Sequence, residues 1–344
     1  MKAHLQKTVS ILFSALLLAV CGPVFAGTEI ASFDGSVHTA GPVAPVPPPA
    51  VDSSRKSLGL DATAEYYAAF NDAAAVSRTK LAVELKRYKV LFIPGLFSNV
   101  DKSKLPLVGI FCSSTTKPRY EEHMALLKEL GVDHERLALQ TESSVEENGA
   151  RIAQVIKASD KPVILMGSSK AGLDMLAGLI GDPAAQRKVR GVIMLQAPFF
   201  GTPVANALID EGSDDSFLGK ILRSLGGSID CLVDLTTWRT KKYMADNAGA
   251  IALFTGAVPV ISVATWVDKA PKGQQDTGMK AMRNFMLRKG LKNDGLVPVD
   301  SAILPGSDYV KLSGADHGAT AQPTKLDFDR VGMTKAVLTM IMAR

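Results

Sequence analysis

Val163-Ile164-Leu165-Met166-Gly167-Ser168-Ser169-Lys170-Ala171-Gly172 begins as an apolar run, ends in a small-Ser-small turn and passes directly into a helix-like pattern. This reads as a buried strand that stops at a sharp turn and holds up one serine. Residues two before and two after that serine must be small, because strand end and helix start nearly touch there. Gly167 and Ala171 meet the requirement around Ser169. Ser169 is therefore a candidate nucleophile, provided a base, an acid and an oxyanion hole lie elsewhere in the chain.

On both sides of this turn, strand-like and helix-like segments alternate. Tyr88 to Ile93 is a short apolar strand that runs into Pro94-Gly95. Tyr120 to Leu130 carries Met124, Leu127 and Leu130 at helical spacing, with Gly131 as a stop. Arg136 to Gln140 reads as a strand, and Ser144 with Glu147 has capping-box spacing ahead of Val145, Ile152, Val155 and Ile156. Leu173, Leu176, Leu179 and Ile180 make the helix after Ser169 largely buried. Val192 to Leu195, Val258 to Val263 and Tyr309 to Leu312 are further strands, and a last helix runs near Met333 to Met342. The alternation predicts an α/β fold: a mostly parallel sheet with helices on both faces. Catalytic groups in such sheets stand at the carboxyl ends of the strands. Residues 201–257 break the rhythm, from Gly201-Thr202-Pro203 through Phe217, Leu218, Ile221, Leu222 and Leu225, and read as a helical cap or lid insertion over the strand ends.

A serine hydroxyl needs a base within hydrogen-bond reach. The chain has five histidines. His4 lies in the leader described below and His38 in a proline-rich segment, while His123 and His134 read as solvent-facing on a helix and in a charged loop. His317 remains, in Ser313-Gly314-Ala315-Asp316-His317-Gly318 directly after the last strand. The base needs a carboxylate to fix its tautomer and to stabilise the imidazolium. Asn293-Asp294-Gly295-Leu296-Val297-Pro298 supplies Asp294 in a turn, with Asp268 as competitor; Asp316 is adjacent to His317 and poorly placed. The chain order Ser169, Asp294, His317 is the order used where a nucleophile stands on such a strand-to-helix turn. Two backbone amides complete the set as an oxyanion hole: that of Lys170, after the nucleophile, and that of Leu96, in Ile93-Pro94-Gly95-Leu96-Phe97.

These motifs together resemble the α/β-hydrolase superfamily, and within it bacterial secreted lipases and esterases. Gly-Ser-Ser-Lys-Ala-Gly at 167–172 is similar to their Gly-His-Ser-Gln-Gly-Gly, and Asn-Asp-Gly-Leu-Val-Pro at 293–298 looks like their acid turn. Gln196-Ala197-Pro198 with Gly201-Thr202-Pro203 resembles the segment after the strand that follows the elbow. The likeness runs from about Val90 to the C-terminus. Ala171, Ser168 and Pro94 depart from the family pattern, where Gly, His and His are usual. The resemblance implies hydrolysis of carboxylic esters through an acyl-enzyme, on an acyl-ester or lipid-like substrate and without a cofactor. Thioester, amide or polyester cleavage by the same residues is the nearest alternative. A non-catalytic envelope binding protein of this fold is the other, and the complete Ser, His and acid set argues against it. Some of these lipases hold a calcium ion near the acid, and no acidic cluster here carries that over.

The ends and the composition set the context. The chain has 344 residues, 47% hydrophobic and 21% charged, enough for a sizeable core. Lys2 and Lys7 precede an apolar run from Val9 to Val20, and Val24-Phe25-Ala26 resembles a cleavage site. Residues 1–26 thus read as a secretory signal peptide, which makes the protein exported, periplasmic or secreted. Cys21 after Leu18-Ala19-Val20 raises the alternative of a lipoprotein anchor, although Gly, Ala or Ser usually precedes such a cysteine. Residues 27–57, with Pro42, Pro45, Pro47, Pro48 and Pro49, read as an extended linker, and 58–344 as the hydrolase domain. Loss of Lys2 and Lys7 with the leader takes the formal charge from +5 to +3, with no basic cluster of the kind nucleic acid requires. No later segment is long and apolar enough to span a membrane. Cys112 and Cys231 remain, compatible with one disulfide or with two separate buried thiols.

Overall fold

The computed structural model describes residues 59–72, 75–98, 118–210, 230–268, 277–324 and 326–344. The leader with Cys21, the proline-rich segment, Cys112 and the stretch from Phe217 to Leu225 lie outside the described residues.

Six strands form one sheet: β1 (Lys89–Ile93), β2 (Asp133–Arg136), β3 (Val163–Ser168), β4 (Val189–Leu195), β5 (Val260–Trp266) and β6 (Asp308–Ser313). Their order is β2-β1-β3-β4-β5-β6, and every neighbouring pair is parallel. The described helices are α1 (Thr63–Asn71), α2 (Ala75–Leu85), α3 (Glu121–Glu129), α4 (Val145–Ala158), α5 (Ala171–Gly181), α6 (Pro183–Gln186), α7 (Pro203–Asp210), α8 (Asp230–Val233), α9 (Thr237–Asp246), α10 (Ala248–Ala257), α11 (Thr277–Leu287) and α12 (Arg330–Ala343).

The continuous apolar runs of the central strands follow from burial on both faces. Val163 and Leu165 of β3 pack with Leu91, Ile93, Val192 and Met194 under α4, α5 and α10. Ile164 and Met166, their alternates, pack with Val90, Phe92, Ile193 and Leu195 against residues of α1, α2, α3 and α12. The twofold side-chain alternation of a strand thus divides one apolar segment between two cores. Helix α4 begins as its sequence indicates: Ser144 Oγ accepts from the Glu147 amide at 3.2 Å, and the Glu147 carboxylate accepts from the Ser144 amide. Among the described residues no helix is long and apolar enough to cross a membrane.

Three readings change. The second strand is Asp133–Arg136, earlier than the Arg136–Gln140 segment expected, because β2 is an edge strand. Charged side chains suit such an edge, where only one neighbour pairs and continued pairing is unwanted. His134 accordingly lies in this strand, half-buried, and its Nδ1–H donates to Val132 O at 2.8 Å. His123 is fully buried rather than solvent-facing. Its Nε2–H donates to Thr320 O at 2.9 Å and its ring stands edge-on to Phe92 and Tyr120, so loss of water pushes the imidazole down to about 4. Finally, α10 falls inside the 201–257 interval, yet Ile251 and Phe254 belong to the sheet core. It is the crossover helix between β4 and β5.

Candidate active site

The register of the sheet delivers the site. Ile93 pairs with Gly167, so the segment Pro94–Ser98 leaves β1 beside the end of β3. The Ser169 amide donates to Leu195 O at 2.8 Å, a last ladder bond, before the chain turns through φ +60° at Ser169 into α5. That conformation is costly for a residue with a Cβ, by about 1 kcal/mol or more, and persists where the surroundings over-determine it. Gly167 shows why: a Cβ there would lie 2.6 Å from Met175 Cε and 3.1 Å from Ala171 Cβ. Strand and helix are as close as the small residues at 167 and 171 indicated.

Ser169 Oγ stands 3.0 Å from His317 Nε2, and His317 Nδ1 stands 2.9 Å from Asp294 Oδ2. Asp294 and His317 are buried, and the His317 amide also donates to Asp294 O at 2.8 Å. The other carboxylate oxygen, Asp294 Oδ1, accepts from the amides of Leu296 at 2.9 Å and Val297 at 2.7 Å. With Asp294 as acceptor, His317 carries its proton on Nδ1 and turns a lone pair at Nε2 toward the Ser169 hydroxyl. The Asp294 turn is itself pinned. Asn293 Oδ1 accepts from the Gly295 amide at 2.9 Å, and the Val267 amide donates to Asn293 O at 3.1 Å, tying the turn to the end of β5. Asp268, the competing acid, is exposed and accepts instead from Trp266 Nε1 at 2.9 Å.

Leu96 and Lys170 flank Ser169 from the strap after β1 and from the start of α5. Among the described residues neither backbone amide donates to a protein acceptor. Gly95 permits the approach of the strap, since a Cβ there would lie 2.5 Å from Ser168 O and 3.1 Å from Ser169 Cβ. The Lys170 side chain, which had no part in the sequence reading, turns away from the site and is fully buried. Its Nζ donates to Asp174 Oδ1 at 2.6 Å, and Asn148 Nδ2 donates to Asp174 Oδ2 at 3.3 Å. Desolvation raises the Asp174 carboxyl to about 7, with Lys170 and Asn148 pulling the other way.

Two further residues were not singled out as site residues from the sequence. Gln196, held at φ +53°, straddles the His317 loop. Its Nε2 donates to Asp316 O at 2.8 Å and to Thr265 Oγ1, while its Oε1 accepts from the Gly318 amide at 3.2 Å and from Thr320 Oγ1 at 2.8 Å. Its sequence signals were its place directly after β4, where the sheet offers its functional edge, and its membership of the Gln196-Ala197-Pro198 segment. The second is Arg119, buried beside the serine turn. A basic residue in a loop gives no sequence sign of burial.

A pocket opens on Ser169 and His317. Leu96, Val204, Leu208, Leu232, Leu235 and Val297 give it apolar walls, so the early part of the 201–257 interval supplies much of its lining. Nearby Cys231 is a buried free thiol, pushed up to about 12 by desolvation, which leaves it unreactive at neutral pH. Among the described residues no cluster of three or more His, Cys, Asp or Glu side chains is placed to hold a metal ion.

No family model matches the sequence, and no curated protein matches it either. Solved structures do resemble it. A lipase of Bacillus licheniformis in its mature form is 20% identical, covering 74% of this chain and 89% of its own, with a TM-score of 0.51. A carboxyl esterase of metagenomic origin is 18% identical over 75% of this chain and 76% of its own, with a TM-score of 0.59. With the parallel six-stranded sheet covered on both faces, these likenesses give the chain the α/β-hydrolase fold.

Proposed function

We propose that the chain is a serine hydrolase that cleaves carboxylic esters with an apolar acyl part. One observation carries the reading: a single buried imidazole bonds Ser169 Oγ through one nitrogen and Asp294 through the other, at the foot of an apolar pocket. Fold alone never fixes function, so the lipase and esterase neighbours agree with the reading without carrying it.

On this reading Ser169 Oγ attacks the acyl carbon while His317 Nε2 takes the hydroxyl proton. Asp294 keeps the imidazole in the productive tautomer and stabilises its cationic form. The amides of Leu96 and Lys170 receive the carbonyl oxygen as it gains negative charge, and donors fixed in advance are worth far more there than water. Collapse of the tetrahedral adduct passes the proton from His317 to the departing alcohol and leaves an ester on Ser169. Water then enters, gives a proton to His317 and releases the acid. Every proton is returned, and no cofactor takes part.

Export is proposed as well, with cleavage after Ala26 and residues 27–57 as a tether. Intact-mass measurement of the purified mature protein tests this: a chain beginning at Gly27 is expected, and a diacylated chain beginning at Cys21 would replace that reading with the anchored one. For the chemistry, a fluorophosphonate probe should label the wild type stoichiometrically at Ser169 and leave Ser169→Ala unlabelled. Hydrolysis of p-nitrophenyl esters should fall by about 10⁶-fold in the same variant. An unlabelled wild type, or label persisting in Ser169→Ala, would end the assignment.

A further inference from the structure

Apart from Ser169 and His317, the pocket has two polar lining residues among the described residues. Its lining threonine, Thr202, spends its hydroxyl on Leu296 O. What remains is Arg119, whose side chain lines the pocket beside Ser169 and His317 although the residue is only 6% exposed. A guanidinium carries five donors and keeps its charge at any working pH. Here, among the described residues, it makes one polar contact, from Nη1 to Ser168 Oγ at 3.4 Å, and none of their carboxylates pairs with it. A buried cation without an anion is expensive, and proteins seldom leave one so.

Its position is fixed on both sides. The neighbouring Tyr120 is fully buried, donates from its amide to Ala321 O at 2.7 Å and donates from its hydroxyl to Ile93 O at 3.0 Å. Arg119 is thereby held between the strap after β1 and the loop that carries His317. Nη1 stands 3.5 Å from the point a Gly95 Cβ would occupy, and Ser169 Cβ stands 3.1 Å from that same point. The charge thus sits against Gly95, with the nucleophile's Cβ near the same point.

We infer that Arg119 is a further oxyanion-stabilising residue, its guanidinium supplying positive charge beside the carbonyl oxygen received by the Leu96 and Lys170 amides. The inference rests on the proposed ester hydrolysis. The anion that the described residues do not supply is then one that exists only during reaction. A neutral carbonyl gains little from a nearby cation, whereas the tetrahedral oxyanion gains a great deal, and interactions that strengthen in the transition state raise kcat and not affinity. Arg119 transfers no proton. The small Ser168 beside it serves as acceptor for Nη1 without filling the space the guanidinium needs.

The test uses Arg119→Met and Arg119→Lys with two esters of equal chain length, p-nitrophenyl butyrate and p-nitrophenyl hemisuccinate, the second bearing a carboxylate. For Arg119→Met, kcat on the neutral ester is expected to fall about 10- to 100-fold with KM unchanged within a few-fold, below the 10²–10³ of a directly bonded donor. Fluorophosphonate labelling of Ser169 should slow in parallel, and Arg119→Lys should recover most of the loss, an outcome a packing defect would not give. Unchanged kcat on butyrate would overturn the inference. So would a loss confined to KM for the hemisuccinate, which would make Arg119 a receptor for a substrate carboxylate. Equal losses in both variants with a lowered melting temperature would reduce it to a structural role. A wild type that neither labels nor hydrolyses either ester would instead remove the ester-hydrolase reading itself.

Discussion

The two flanks of Ser169 are built on opposite principles. On the His317 side every polar group of the relay is held by protein: Asp294 by the Leu296 and Val297 amides, His317 by Asp294, and the His317 loop by Gln196. On the strap side the amides of Leu96 and Lys170 have no protein acceptor among the described residues, and Arg119 has one long contact. On the proposed mechanism the difference has a reason: a proton relay must be in register before substrate arrives, so its bonds are made in advance. Oxyanion donors would answer a charge that arises only in the reaction, so spending them on protein would defeat them.

Four substitutions test that contrast, from the largest effect down. Asp294→Asn keeps the shape and reverses the hydrogen-bond sense at Nδ1. It is expected to lower kcat by about 10⁴ with the circular dichroism spectrum unchanged, and a loss under tenfold would detach Asp294 from the relay.

Lys170→Met leaves the backbone amide in place but strands Asp174 in the core. Breaking a buried pair in this way costs about 3–5 kcal/mol, readable in urea unfolding at pH 8, while kcat should stay within a few-fold. The pH dependence has a definite sign. In the wild type the Asp174 carboxyl is raised from 3.8 to about 7, so between those values the folded chain keeps a proton that the unfolded chain releases. Its contribution to stability therefore falls as pH rises through that window. Without Lys170 to pull it down the carboxyl goes higher still, and the variant should be less destabilised at pH 6 than at pH 8.

Gly95→Ala pushes the strap off Ser168 O and should cost about 10²-fold in kcat, as the loss of one oxyanion donor does. Retention of the wild-type rate would show that the strap has no part in the reaction. Gln196→Ala, the smallest of the four, loosens the His317 loop and should lower kcat about tenfold with little change in KM, a consequence of misplacement. An unchanged rate would mean that Asp294 alone holds the imidazole.

Much of this was legible in the sequence for physical reasons. The steric demand at Gly167 and Ala171 is local, and the strands that bury both faces leave apolar runs with no alternation to misread. Ser169, Asp294 and His317 stand at strand ends, where the fold's connectivity restricts what they meet. What failed was long-range. The stripe of Met124, Leu127 and Leu130 sets His123 toward water, yet the structure buries His123, Leu126 and Leu127 because Thr320 O, 197 residues away in sequence, offers a partner. Leu137 and Leu139 drew the second strand too far along; they are buried, but beyond the last pairing with β1. Arg119 gave no local sign, and Gln196 only its place in a family-like segment after β4, since what each contacts depends on loops that only the assembled sheet brings together.

The burial of Lys170 has a practical side. Its ammonium is sealed behind the nucleophile turn with no surface exposed, while Lys86, Lys128 and Lys241 stand in water. An amine-acylating reagent will tag the surface lysines in the native fold and reach Lys170 only when β3 and α5 part. The rate at which that one lysine is tagged is therefore a clock for the opening of the core, and mass spectrometry reads it without any engineered label.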